Sequence, residues 1–172
     1  MWDQITAAAA SESPLWAEAT LGEGEQDREP VFSPLAPEVH ALGLETIYEG
    51  YLVHYGRSRL FAPADRDMAL LLGDYLYAHG LVRVAEAGDV DAVADLSELI
   101  SLCSQLRAEN ADGDGALWAA TAATLGSGAR LDEARSALRL RGDASVLDAD
   151  ARRAAGDAAV EQALAAHAGR VR

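Results

Sequence analysis

Apolar positions along the chain recur every three or four residues within stretches separated by polar runs rich in proline or glycine. Val39, Leu42, Leu44, Ile47, Tyr48, Tyr51, Leu52 and Tyr55 form the first long stripe. Pro37 suits the first turn, so a helix is predicted from about 38 to 55. After a connector over 57–63, Asp65 or Asp67 is placed to cap a second helix carrying Met68, Leu71, Leu72, Tyr75, Leu76, His79 and Val82, which Gly88 ends. Asp89 caps a third, with Val90, Val93, Leu96, Leu99, Ile100, Cys103 and Leu106 on one side as far as about Glu109. A glycine- and aspartate-rich break precedes a helix of small residues at 116–125, closed by Gly126-Ser127-Gly128. Two further helical stretches follow at 131–140 and 148–168, the last with only Val160 and Leu164 as large apolar anchors.

Residues 1–37 show no such period. They carry Pro14, Pro30, Pro34 and Pro37 and an acidic run from Glu23 to Glu29, and they read as a flexible acidic segment with at most a short helix near 14–21. The expected organisation is this segment followed by a single helical domain over 38–172, with its core at 38–126 and a weakly specified terminal helix at 148–172. The fold class is all-α, a helical bundle whose sequence neighbours run antiparallel because their connectors are short.

Composition sharpens this picture. Ala is abundant and β-branched residues are sparse, which favours helix throughout. The 14 basic residues are all Arg, against 28 acidic residues, for a net charge of −14. Lysine chemistry is therefore absent: no Schiff base, no P-loop lysine and no lysine general base. An acidic surface repels phosphate, so nucleic acid is not an expected partner. No uninterrupted apolar run is long enough to span a bilayer, and the N-terminus lacks the pattern of a secretory signal, so the expectation is a cytoplasmic protein without membrane insertion. Cys103 is the only cysteine and lies on an apolar stripe, as a packing residue would. His40, His54 and His79 have no metal-binding spacing.

Two stretches carry a resemblance. Ala41-Leu42-Gly43-Leu44-Glu45-Thr46-Ile47-Tyr48-Glu49-Gly50-Tyr51-Leu52-Val53-His54, followed by Met68-Ala69-Leu70-Leu71-Leu72-Gly73-Asp74-Tyr75-Leu76-Tyr77-Ala78, is similar to the trans-isoprenyl (polyprenyl) diphosphate synthases. In that family a helix ending in a Leu-(Ile/Val)-His-Asp-Asp type sequence precedes one with a Gly-Asp-Tyr-Leu-Leu-Ala type sequence. The stretch from Ala116 to Gly126 also resembles the family's small-residue helix ending in Leu-Gly, so the likeness covers about residues 38 to 126. Family chemistry needs two aspartate-rich motifs that hold Mg²⁺ on the allylic diphosphate. Here His54-Tyr55-Gly56-Arg57-Ser58-Arg59 stands at the first, and Leu131-Asp132-Glu133-Ala134-Arg135 and Leu147-Asp148-Ala149-Asp150 lie near the second.

The resemblance thus implies a degenerate member: a non-catalytic subunit that associates with a complete prenyl diphosphate synthase, covering an apolar, Ala-rich flank near 116–125. No catalytic residue and no cofactor are expected. Arg57 and Arg59 are the candidate substrate-binding residues, as a remnant diphosphate site or, more simply, as an exposed loop pair. The tyrosines at 48, 51, 55, 75 and 77 line a prenyl cavity or fill the core. Two alternatives stand beside this reading. One is a self-associating helical protein, a homodimer unrelated to isoprenoids. The other is a weakly active prenyltransferase that binds Mg²⁺ through Asp74, Asp91 and Asp95.

Overall fold

The computed structural model describes residues 1–171 and is all-helical, with isolated bridges but no β-strand among those residues. Helices α1 (Trp2–Glu12) and α2 (Pro14–Ala19) come first, and a 3₁₀ turn at Ser33–Leu35 follows. Helices α3 (Glu38–Tyr55), α4 (Arg66–Glu86) and α5 (Val90–Glu109) form the long frame. The shorter α6 (Asp114–Thr124), α7 (Asp132–Arg141), α8 (Ser145–Ala155) and α9 (Asp157–Ala168) complete it.

Side-chain caps account for the starts of α2, α4 and α5. The Asp65 carboxylate accepts from the Met68 N–H at 2.8 Å and starts α4; Asp89 does the same for Ala92 at 2.9 Å and starts α5. Ser13 caps α2 ahead of Pro14, whose missing N–H costs nothing in a first turn. The single helix expected over 148–168 is two, because Gly156 sits at φ +85°, outside helical space, between α8 and α9.

The first 37 residues are a correction to the sequence expectation. They form α1, α2 and the 3₁₀ turn, and they bury Ile5, Ala9, Val31 and Phe32. Ile5 and Ala9 join Leu60, Phe61, Leu72 and Leu76 in an apolar cluster beside the main core. Two buried positions over eleven helical residues, one of them an alanine, are too few to stand out as a period, so tertiary packing rather than a local pattern orders this segment.

α3 and α4 cross with almost no gap. A methyl group on Gly43 would lie 2.5 Å from Val84 Cγ2, and one on Gly50 would lie 2.9 Å from the Gly73 carbonyl oxygen. The main core gathers around α6, where Trp118 stacks on Phe32 with centroids 5.5 Å apart and meets Tyr48 edge-on at 5.0 Å. The expected Ala-rich flank is therefore not a surface. Leu117, Trp118, Ala119, Ala120 and Ala122 are buried, and α8 and α9 cover them. Large exposed apolar side chains lie elsewhere, including Leu70, Leu71 and Val82 on α4. No helix among the described residues is long and apolar enough to cross a membrane.

Candidate functional site

α3 is apolar on nearly every side, and its residues from Gly43 to Leu52 are all buried. Two glutamates interrupt that run. Glu45 and Glu49, four apart, lie on one side of the helix and point at the connector between α3 and α4. Both are fully buried, and Arg59 joins them with its side chain 1% exposed. Arg59 Nε donates to Glu49 Oε2 at 2.9 Å and Nη1 donates to Glu45 Oε2 at 2.7 Å. Glu45 Oε1 accepts the Val31 and Ser33 N–H groups, and Glu49 Oε1 accepts from the Ser58 hydroxyl and the Arg59 and Leu60 N–H groups. The guanidinium carbon also lies over the rings of Trp2, at 4.8 Å, and Tyr48, at 5.0 Å. Burial opposes the Arg59 charge, but the two carboxylates override it and raise its pKa.

This arrangement separates the two candidate arginines. Arg59 is neither exposed nor available to an anion, since the acids of α3 and the Glu29 and Glu45 carbonyls take its donors. Arg57 is exposed and lines a groove of about 520 Å³ that also includes Glu25 and Asp27. Its own N–H donates to the Arg170 carbonyl at 2.8 Å. The two arginines that the sequence offers for one diphosphate thus differ: the Arg59 side chain is a core ion, and Arg57 is exposed at the rim of a groove that Glu25 and Asp27 also line.

The opposite side of α3 carries a second polar cluster. Tyr51 and Arg107 both donate to Asp114 Oδ2, and Arg107 Nε donates to the Tyr51 hydroxyl at 2.8 Å. His167 Nε2 lies 3.3 Å from that oxygen, off the line of a good hydrogen bond, and its Nδ1 pairs with the Tyr48 hydroxyl at 3.0 Å. Burial raises the Asp114 pKa, yet His167, Tyr51 and Arg107 together hold it below the usual carboxylate range. Burial, reinforced by Asp114, raises that of Tyr51, so the phenol stays protonated. The cluster reaches the surface at Arg107, beside a groove of about 510 Å³ walled by Tyr55, Ser104 and Asn110. Tyr48 and Tyr51 line no channel, because Trp118, Phe32 and His167 fill the space between them.

The acids that a Mg²⁺ site would need do not fit one. Glu45 and Glu49 have the right spacing, but their oxygens are occupied by Arg59, backbone donors and Ser58. Asp95 is taken by Arg135 at 2.8 Å, Asp74 faces His54 at 3.2 Å, and Asp91 stands exposed. Among the described residues no group of three or more His, Cys, Asp or Glu side chains is arranged to share an ion. Cys103 is fully buried, which pushes its thiol pKa up and leaves it in the protonated, unreactive form.

Sequence reasoning missed Glu45, Glu49 and Asp114. A signal existed for the glutamates: two acids at helical spacing inside a helix that is apolar on every side must be buried, and buried acids need a cation. His167 gave none, because only the fold brings it to Asp114. No family model, no curated protein and no solved structure matches the chain.

Proposed function

We propose that this protein is a non-catalytic helical subunit that acts by binding another protein, and that its partner is a complete prenyl diphosphate synthase of the cytoplasm. The carrying observation is the state of the α3 acids. The carboxylate pair best spaced to hold a metal is consumed by Arg59 and by backbone N–H groups, and so serves to fix the connector. What remains of the resemblance is the frame of α3, α4 and α6, without aspartate motifs to bind a diphosphate. A frame that has lost its chemistry keeps its surfaces, and α4 presents apolar side chains to solvent.

The test is co-expression with a complete prenyl diphosphate synthase, followed by size-exclusion chromatography and an assay of product chain length. Co-elution with an altered product length is the expected result. Separate elution together with Mg²⁺-dependent diphosphate release by this chain alone would replace the proposal with the enzyme reading.

A further inference from the structure

The outer side of α4 carries Asp67, Leu71, Asp74, Ala78 and Val82 at steps of four, three, four and four, which places them in one row along the helix. All five are exposed, Leu71 by 64% and Val82 by 53%, and Leu70 adds 44% at the edge. The two aspartates stand about 10.5 Å apart along the axis, at 1.5 Å per residue, with Leu71 between them. Asp67 has no ion-pair partner among the described residues. Asp74 has only His54, at 3.2 Å, and burial lowers the pKa of that imidazole below 6.5, so it is neutral at pH 7 and leaves the carboxylate charge unbalanced.

Any occupant of this row must cover leucine and valine while keeping two carboxylates from being buried alone. The same row of a second copy does not meet that need, because it holds two acids and no base, and two chains at −14 each repel one another. We infer that the outer row of α4 is a docking surface for an amphipathic helix of a partner protein, with apolar residues against Leu71 and Val82 and Lys or Arg opposite Asp67 and Asp74. The inference rests on the reading of this protein as a binding subunit and names the surface and the chemistry it selects.

The probe is a synthetic helix of about 18 residues, with leucines repeating at three- and four-residue steps and lysines flanking them, set against a counterpart with glutamate in place of lysine. Fluorescence anisotropy with the full chain should show binding of the lysine peptide alone, weakening as salt rises. The pair Leu71→Asp and Val82→Asp should weaken it by about tenfold or more, although it makes the protein more acidic. An adventitious charge attraction would instead be strengthened by those substitutions, and that result overturns the inference. Leu140→Asp, at a site 76% exposed on α7, is the matched control and should change nothing. Equal binding of both peptides, or sedimentation showing a dimer abolished by Leu71→Asp, also overturns it. If a synthase co-elutes with the Leu71/Val82 variant as well as with the natural chain, the surface is wrong and the subunit reading stands. If the lysine peptide binds as described and no synthase co-elutes, the surface stands and the synthase partner falls.

Discussion

Arg59 and Glu49 meet at 2.9 Å with neither side chain open to water, and the same carboxylate also accepts the N–H groups of Arg59 and Leu60. The ion pair therefore holds a loop as well as a charge. Replacing Arg59 with Leu leaves Glu45 and Glu49 buried without a cation and frees the connector. The expected loss is about 3–5 kcal/mol of stability. Urea denaturation measures it, and a loss below about 1 kcal/mol would show that the acids find water or protons in place of Arg59. Arg59→Lys keeps the charge but not the forked geometry, and should recover only part of the loss.

At the α3–α4 crossing, Gly80→Ala sets helix propensity against packing. Alanine gains about 1 kcal/mol in an isolated helix. A methyl group here would lie 2.5 Å from Ile47 Cγ1 and 2.8 Å from the Gly43 carbonyl oxygen, so strain of about 1–3 kcal/mol should dominate. The expected net effect is a lower melting temperature; a rise would mean that the helices can part without loss.

Acid pH tests Asp114. Its pKa in the folded protein lies below the ordinary value of 3.8, so it contributes stability above that value and loses it as the pH falls toward the folded one. Asp114→Asn should be less stable by about 2 kcal/mol at pH 7, and its loss of stability on acidification below pH 4 should be smaller than that of the natural chain. Parallel curves for the two proteins would show that the carboxylate is not held in its charged form.

His54 has linkage of the same sign at a higher pH. Burial lowers its folded pKa from 6.5, against the pull of Asp74, so the unfolded chain takes up the proton first. Stability should fall as the pH drops through about 6.5 and level off below the folded pKa. His79 is lowered in the same way, again chiefly by burial, so His54→Gln should remove part of the slope and a double replacement more of it. Thermal melts at stepped pH would reveal an unchanged slope if the ring were freely protonated in place.

How legible this was in the sequence depended on the range of the interactions. The caps at Asp65 and Asp89 are local chemistry and the stripes of α3, α4 and α5 local periodicity, so the helices themselves were readable, although Val39 and Val90 of the expected stripes stand exposed. α1 was not, because Ile5 and Ala9 find their partners at Leu60, Phe61, Leu72 and Leu76. Arg59 looked like a loop residue because it lies in a short connector beside Arg57 and Ser58, and only the two buried acids of α3 turn it inward. His167 and Asp114 belong to helices that the fold alone brings together. The exposed row on α4 was hidden for a further reason: Leu71 and Val82 belong to the stripe that periodicity assigns to the core, and the observed helix turns them to solvent.

The connector from Gly56 to Ala62 is stitched from both directions of the chain: the Arg57 N–H donates to the Arg170 carbonyl, and the Ala62 N–H donates to the Ala19 carbonyl. These two amides are separate gauges of docking. In hydrogen–deuterium exchange, Arg57 reports whether the last turn is seated, and Ala62 whether the opening helices are. One short peptide fragment thus carries independent readings of opposite flanks of the molecule.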